Sequence, residues 1–422
     1  MGNNRIQLHR HRLGELIDVT RGMSLPGSNY ATSGELIRLT LGNFDYSGNG
    51  FKENTSKDNI YYSGVVPDEY IMKEGDIITP LTEQTPGLLG TTARIPVSGK
   101  YIQSQDVALI TCKPGKIDPL FCYYLVSSSI VKQQLAAGSQ QTKIRHTSPD
   151  KIKECVVYIP EDLAVQHKIG DFLTAIDDKI SLNRKANAEL EALAKQIYDY
   201  WFVQFDFPDA NGRPYKSSSG KMVYDSTIKR DIPEEWEVAH LFEAANVLYG
   251  FPFSTEQFVE DETPIPVVRI RDISEGTHSA YSTQGVDDKY KLERGDVVIG
   301  MDGNFHMNIW HESESYLNQR CVRIRTNDDE QALSSISLYY AMAPYIQSRQ
   351  ATIQGSTVGH LSDKDMKQIY VLRPSINESF NPKRIFDTIE EQIISGKNEI
   401  NRLTDLREFL IPLLLNCQVS IS

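Results

Sequence analysis

The chain has 422 residues, of which 40% are hydrophobic and 24% are charged. This composition excludes a disordered, collagen-like or membrane-channel protein. No apolar run approaches the roughly 18 residues that a membrane-spanning helix requires. The five cysteines are scattered and form no C-x-x-C motif, which indicates reduced thiols. Because no secretory signal is recognisable either, the sequence predicts a cytoplasmic protein.

The net charge of −12 is unevenly distributed along the chain. Residues 1–160 carry 17 Lys/Arg against 15 Asp/Glu, whereas residues 237–374 carry 12 against 20. A strongly acidic chain has no overall field that would attract a nucleic acid. Any polyanion would therefore have to bind at local basic patches or with the help of basic partner proteins.

The second half of the chain repeats the first half. The segment YIMKEGDIIT at 70–79 resembles YKLERGDVVI at 290–299, and the 138–160 segment, which ends in ECVVYIP, resembles 355–374, which ends in IYVLRP. Short β-branched runs separated by Gly, Pro, Asn and Asp predict strands in both copies. The sequence therefore predicts two similar, β-rich α+β domains with mainly antiparallel or mixed sheets.

A long helix with heptad spacing follows each domain. Apolar positions recur in alternating steps of four and three, and the two helices are expected to begin just after Pro160 and near Pro382. A narrow apolar stripe has to be buried against a partner, and the other helix supplies one. We expect an antiparallel coiled coil, although each helix packing only on its own domain is the alternative. The expected seam residues are Ile169, Leu173, Ile176, Ile180, Asn183, Asn187, Leu190, Ile197, Ile389, Ile393, Ile400, Leu403 and Leu410.

Changes in composition set the expected boundaries of these parts. Arg407 interrupts the second seam, and Leu406 is expected to cover its flank. The order predicted from the sequence is a first domain at 1–160, a first helix at 161–207, a polar connector at 208–236, a second domain at 237–374 and a second helix at 375–422.

Sequence motifs of the common catalytic sites are absent. The chain has no G-x-x-x-x-G-K-[ST] loop, no H-E-x-x-H, no Cys/His cluster with metal spacing and no G-x-S-x-G. Asp150 with Lys153, and Asp365 with Lys367, resemble a nuclease carboxylate–lysine pattern, but such pairs are common by chance. The sequence therefore favours a binding protein with no catalytic residues and no metal or cofactor of its own.

Two pairs of loops lie at matching positions of the repeat but differ in content. One pair is 79–92 and 300–311, and the other is 138–146 and 355–362. Their polar side chains suit hydrogen bonds to base edges or phosphates, although ordinary polar loops are the alternative. The candidate DNA contacts are Gln84, Thr85, Ser139, Gln140, Gln141, Thr142, Lys143, Arg145, His146, Asn304, His306, Asn308, Ser356, Thr357 and His360.

Two similar domains whose loops differ in sequence predict a protein that recognises an asymmetric ligand. Two-fold proteins read DNA half-sites about one helical turn, roughly 34–36 Å, apart. The length of the helices would then set an unread spacer between two different half-sites. The sequence thus favours double-stranded DNA with a bipartite, gapped, non-palindromic site.

The whole chain resembles the specificity (S) subunit of type I restriction-modification systems. In the first half, residues 140–142 and 146–147 depart from the loop pattern of that family. The resemblance is carried by the Gly-Asp-Ile/Val strands at 75–78 and 295–298, the Gly-Ser loop leading to Leu361-Ser362, the helix end AELEALAKQIYDYWFVQFDFP at 188–208, and the connector through IPEEWEV at 232–238.

The resemblance implies two target-recognition domains, each reading half of a split site, separated by an antiparallel coiled coil. It also implies a subunit without an active site in a bacterial or archaeal cytoplasm, and no membrane. The implied partners are two modification subunits, which bind S-adenosylmethionine and methylate adenine, and restriction subunits, which use ATP and Mg. The alternatives are a fused methyltransferase or nuclease with an unrecognised active site, and a coiled-coil scaffold without DNA contact.

Overall fold

The computed structural model divides the chain into two compact units. The first unit is Met1–Leu182 with Glu399–Ser422, and the second unit is Asn183–Asn398. Each unit contains one α+β domain and one half of each long helix. The residues that the structure describes are 6–45, 50–55, 58–83, 87–137, 145–260, 264–312, 314–327, 330–352, 359–377 and 379–421.

The described part of the first half of the chain is built from short strands, short α-helices and one long α-helix. Its elements are β1 (Leu8–Arg12), α1 (Leu13–Leu16), β2 (Ile17–Arg21), β3 (Tyr30–Ala31), β4 (Ile37–Arg38), β5 (Tyr61–Tyr62), β6 (Ile77–Pro80), β7 (Thr82–Glu83), β8 (Ala93–Arg94), β9 (Tyr101–Ile102), β10 (Val107–Cys112), α2 (Pro119–Val126), α3 (Ser129–Ala137), β11 (Arg145–His146), α4 (Pro149–Glu154), β12 (Val156–Pro160) and α5 (Leu163–Tyr198).

The second half begins with a hairpin and then follows the same plan. Its elements are β13 (Met222–Asp225), β14 (Arg230–Pro233), β15 (Glu237–His240), α6 (Leu241–Ala244), β16 (Ala245–Tyr249), β17 (Phe258–Val259), β18 (Ile265–Val268), α7 (Ile270–Ile273), β19 (Ala280–Ser282), β20 (Val297–Gly300), β21 (Met307–Ile309), β22 (Tyr316–Leu317), β23 (Cys321–Thr326), α8 (Ser335–Thr352), α9 (Asp363–Met366), β24 (Tyr370–Arg373) and α10 (Pro382–Leu415).

The two domains share one sheet topology. In the first domain the strand orders are β2-β10-β6-β8, β3-β5-β4-β9 and β1-β12, and in the second they are β16-β23-β20-β21, β17-β19-β18-β22 and β15-β24. All pairs are antiparallel except β4–β9 and β18–β22, which are parallel. The duplicated α+β fold with mixed sheets is therefore confirmed.

The repeated Gly-Asp motif forms the turn that leads into the central strand of each domain. Gly75 and Gly295 have φ of +85° and +88°, a region that glycine enters without steric cost. The following aspartates close the turn, since Asp76 and Asp296 each accept the backbone N–H of the residue three positions earlier at 2.7 Å. The β-branched run that follows is buried on both faces because it separates two apolar clusters.

The long helices α5 and α10 pair in the antiparallel sense. In the first unit Arg407 Nη1 lies 2.7 Å from Asp177 Oδ1, and in the second unit Asn187 packs against Gly396. Residue numbers in α10 therefore decrease along the contact as those in α5 increase, which confirms the expected antiparallel coiled coil. The buried seam residues are Ile169, Leu173, Ile176, Ile180, Asn183, Asn187, Ile389 and Ile393, and those partly buried are Leu190, Ile197, Ile400, Leu403 and Leu410.

One detail of the helix pair differs from the sequence-based expectation, and two helices have local irregularities. Helices α2 and α3 are separated at Ser127, whose Oγ donates to the Tyr123 and Tyr124 carbonyls. Helix α10 continues past Pro412 to Leu415. Arg407 is buried with an ion-pair partner, while Leu406 is exposed, so Arg407 belongs to the seam and Leu406 does not cover it.

The 208–236 segment is more structured than a polar connector. It contains the antiparallel hairpin β13–β14, and its ends contribute to an aromatic cluster. The ring of Phe207 lies 4.7 Å from that of Tyr215, 4.9 Å from Trp236 and 4.6 Å from Phe380. Across the described part of the chain, no helix combines the length and apolarity that crossing a membrane requires.

We predict that Arg407→Met lowers the free energy of unfolding by roughly 3 kcal/mol, because it leaves the half-buried Asp177 carboxylate without its cation. The control is Lys179→Met in the same helix pair, where Lys179 and Glu399 form a half-exposed ion pair. Such a pair contributes at most about 1 kcal/mol. Urea unfolding of both variants tests the difference, and equal losses would contradict the burial argument.

Candidate nucleic-acid interface

The first domain joins its two candidate loops through a short antiparallel ribbon. Strand β7 leads into one loop and β11 leads out of the other, with Arg145 opposite Glu83 and His146 opposite Thr82. The Thr147 N–H donates to the Leu81 carbonyl at 2.9 Å and extends the pairing. Segments about 60 residues apart in the sequence therefore emerge side by side.

The buried Glu83 side chain stabilises this first ribbon. Its side chain is 3% exposed, and Oε2 accepts the N–H groups of Gly87, Leu88 and Leu89 at 3.0–3.1 Å. Its other oxygen lies 3.5 Å from Arg145 Nη1, and the Arg145 side chain is 37% exposed. The carboxylate thus fixes the start of one loop and holds the Arg145 guanidinium at the surface.

The second domain has a matching ribbon. Asp302 pairs with His360, the Gly303 N–H donates to the Gly359 carbonyl at 2.9 Å, and the Leu361 N–H donates to the Met301 carbonyl at 2.7 Å. Since Leu361 and Met301 match Thr147 and Leu81, His146 and His360 occupy equivalent backbone positions in the two ribbons.

The side chains on the second ribbon form a charged cluster. Asp302 accepts from Arg320 Nη1 at 2.7 Å and lies 2.6 Å from His360 Nδ1. The side chains of His360 and Arg320 are more than half exposed. Arg320 therefore presents donors to solvent and His360 exposes its ring, while one carboxylate fixes the positions of both.

A third loop, which the sequence analysis missed, meets each ribbon. The Met301 N–H donates to the Arg320 carbonyl at 2.9 Å, and the Leu81 N–H donates to the Asp106 carbonyl at 2.8 Å. Asp106 directly precedes β10 and Arg320 directly precedes β23, which are equivalent strands of the two central sheets. The sequence did contain a signal for this loop, because equivalent positions of the repeat carry an acidic residue, Asp106, and a basic residue, Arg320.

The remaining described candidates lie in the 300–311 loop. Asn304 is exposed, and the His306 N–H donates to the Asn304 carbonyl at 2.8 Å in a tight turn. Asn308 is placed differently, because its amide donates to the Ile273 carbonyl at 2.9 Å from within β21. The structure therefore brings together Arg145 with His146, and His360 with Asp302, but it assigns Asn308 to a contact inside the domain.

The two carboxylate–lysine patterns have local partners in the structure. Asp150 pairs with Lys153 on the surface, and Asp365 caps α9 through Ser362, so both carboxylates serve local structure. Among the described residues, no group of three or more His, Cys, Asp or Glu is arranged to hold a metal ion. The candidates that lie outside the described residues are Gln84, Thr85, Ser139, Gln140, Gln141, Thr142, Lys143, Ser356 and Thr357.

The comparisons with known proteins agree with this duplicated arrangement. The family model of the type I restriction modification DNA specificity domain matches residues 9–192 and 233–405, which together make up most of the chain. The chain therefore belongs to the family of type I restriction-modification DNA-specificity subunits. Proteins of this family are the non-catalytic DNA-recognition subunits of their complexes.

Individual relatives are distant. The chain is 27% identical over 192 residues to the EcoBI specificity subunit of Escherichia coli, which covers 45% of this chain and 40% of that protein. It is 22% identical to the MjaIX specificity subunit of Methanocaldococcus jannaschii over 78% of this chain and 77% of that one. The crystal structure of the S subunit from M. genitalium has the same fold, with a TM-score of 0.56 at 15% identity over 100% of this chain and 99% of that chain.

We predict that Arg145→Ala and His360→Ala each weaken binding to the cognate duplex by on the order of 1–3 kcal/mol, as expected for side chains that touch bases. Because the residues lie in different domains, each variant is expected to relax specificity in only one half of the site. Anisotropy titrations with duplexes altered in either half measure this, with Lys221→Ala in the connector hairpin as the control. Unchanged affinity in both variants would remove the ribbons from the interface.

Proposed function

We propose that each domain reads one half of a bipartite, gapped, non-palindromic site in double-stranded DNA. The observation that carries this proposal is the pair of ribbons, which share one backbone frame and differ in their charged side chains. Thr82 and Asp106 in the first domain correspond to Asp302 and Arg320 in the second. Different donors and acceptors on one frame suit two different base sequences.

The helix pair supports recruitment of partner subunits. Seven large apolar side chains on α5 and α10 are between 37% and 66% exposed, which suits burial against another protein. We propose that two modification subunits bind these helices and that restriction subunits join them. In this proposal S-adenosylmethionine, ATP and Mg bind to the partners, and the complex acts in a bacterial or archaeal cytoplasm. The exposed residues are Leu163, Phe172, Leu182, Leu193, Ile385, Leu406 and Phe409.

Two other functions are less well supported. A fused methyltransferase or nuclease would need an active site in this chain, whereas the family recognises DNA without catalysis. A scaffold that does not contact DNA would give the two matching surface ribbons no binding role. A reader's affinity for duplex DNA is expected to fall steeply as salt rises, whereas a scaffold would show no such affinity.

Genome-wide mapping of methylated adenines tests the proposed function. The full chain is expressed with its modification subunit in a host that lacks other adenine methylation. We expect one motif made of two different short sequences separated by a fixed gap. A continuous or palindromic motif would contradict the two-domain reading, and methylation by this chain alone would favour the fused enzyme.

We also predict that longer helices lengthen the gap. Seven residues inserted in register between Leu182 and Asn183 of α5, and between Asn398 and Glu399 of α10, add about 10.5 Å of helix. At about 3.4 Å per base pair, the gap in the methylated motif is expected to grow by about three base pairs while both half-sites stay the same. An unaltered gap would refute the proposal that the helices set the spacer.

A further inference from the structure

The heptads of α5 and α10 place two pairs of residues at equivalent positions. Asp177 follows the seam residue Ile176, and Glu390 follows the seam residue Ile389. On the facing helix, Arg407 lies between two seam leucines, and its counterpart between Leu190 and Ile197 is Ala194. The acidic residue is thus present in both copies, whereas the arginine is present in only one.

In the first unit, the arginine completes a buried charged cluster. The Asp177 carboxylate lies 2.7 Å from Arg407 Nη1 and accepts the Tyr124 hydroxyl at 2.6 Å. Tyr123 stands beside them, with the guanidinium of Arg94 5.4 Å from its ring centroid. A carboxylate, two tyrosines and two arginines therefore fill this place in the packing.

In the second unit, the same place is a cavity of about 140 Å³. Glu390 and the tyrosine pair Tyr339–Tyr340 line it, as Asp177 and the tyrosine pair line the filled site. Both cationic positions are apolar in this copy, because Ala194 is equivalent to Arg407 and Ile309 is equivalent to Arg94. The cavity therefore lies at the place that corresponds to these arginine side chains in the first unit.

The Glu390 carboxyl group is buried without a matching cation. Its residue is 7% exposed, and within the described residues no Lys or Arg lies within ion-pair distance of it. Burial, followed by the charge of Asp387 and, more weakly, of Asp296, raises the pKa of Glu390 to about 7, although the Ser335 hydroxyl and Lys383 oppose this rise.

The opposite wall combines a neutral histidine with charged groups of both signs. His311 lines the cavity with a ring nitrogen, Nδ1, that has no hydrogen-bond partner among the residues that the structure describes. Burial, with smaller effects of Lys397 and Arg294, lowers the pKa of His311 to about 3, so the ring is neutral near pH 7. Glu191 of α5 also lines the cavity, and its carboxylate adds negative charge. Lys397 lies close enough to Glu191 to offset part of that charge, and Lys195 Nζ already lies 5.6 Å from the Tyr340 ring centroid. The site thus offers a cationic ligand the Glu390 carboxylate and the Tyr339 ring.

We propose that this cavity binds a guanidinium group, which takes the place that the Arg407 side chain occupies in the first unit. A guanidinium presents a planar fork of donors to a carboxylate and stacks on aromatic faces. A cavity of about 150 Å³ can hold benzene, so the volume admits this smaller planar group. The group comes either from an arginine of a partner subunit or from a small guanidinium compound.

Agmatine, a guanidinium on a short alkyl chain, is the probe for the full-length chain. We expect isothermal titration calorimetry to show one site, with putrescine, which has an amine in place of the guanidinium, bound about tenfold more weakly. Glu390→Gln should weaken agmatine binding by at least about tenfold. Agmatine that fails to bind, or that binds Glu390→Gln equally well, overturns the proposal.

The pH dependence of binding gives a second readout. The guanidinium binds the ionised carboxylate, so its affinity is expected to rise between pH 6 and pH 8, as Glu390 ionises through its pKa of about 7. Glu390→Gln should abolish that rise. A pH-independent affinity in the unmodified chain contradicts the role of Glu390.

Ala194→Arg supplies the guanidinium from within the chain. This variant is expected to raise the midpoint of thermal unfolding and to abolish agmatine binding, whereas the uncharged control Ala194→Leu should leave the midpoint lower than Ala194→Arg does. Should Ala194→Arg fail to fold, the Glu390→Gln titration still decides the proposal. Co-purification with the modification subunit then identifies the source: a loss caused by Ala194→Arg and by agmatine assigns a partner arginine, and unchanged assembly assigns a small compound.

Discussion

The antiparallel burial of one heptad seam against the other is the constraint on which the rest of this structure depends. At Gly396 any side chain would collide with Asn187, since a Cβ there would lie 2.3 Å from the amide oxygen. Asn183 and Asn187 place polar groups in a seam that aliphatic residues would fill more favourably, and buried polar residues of this kind select one register. The Asp177–Arg407 pair acts in the same way in the first unit. Because each helix contributes to both units, this register also fixes which helix residues each domain meets.

Within each domain, the features that the two copies share lie in the core, and the side chains that differ between the copies lie at the surface. The glycine–aspartate turn and the strand that follows it are buried on both faces, so the packing of two cores restricts their side chains. The ribbons at the ends of these strands are held by backbone hydrogen bonds, which do not depend on side-chain identity. Thr82 and Asp302 can therefore differ, as can Asp106 and Arg320, without disturbing the fold. A recognition surface can diverge on a frame of this kind while the frame stays the same.

The two copies have diverged inside the protein as well as on its surface. The tyrosine pair beside the helices is retained in both, and so is the acidic residue that faces it, but the arginine is not. Losing only one member of a buried ion pair is costly, because the remaining charge stays desolvated. The raised pKa of Glu390 reflects that cost, since burial favours its neutral form. An external guanidinium would relieve it.

The sequence by itself determined the periodic features: the duplicated domains, the heptad helices, the central strands and the family, because each of these leaves a regular pattern or a contiguous motif. It also located the matched loops around Arg145 and His360. Only the tertiary structure decided that these loops form ribbons, that Asp106 and Arg320 join them, that Asn308 turns to the Ile273 carbonyl and that the place of one arginine is vacant. The reason is that these contacts join residues from about 20 to 200 positions apart, whereas sequence periodicity reports only the local repeat of a helix or strand. Their geometry follows from strand register and helix pairing, which a single sequence does not encode locally.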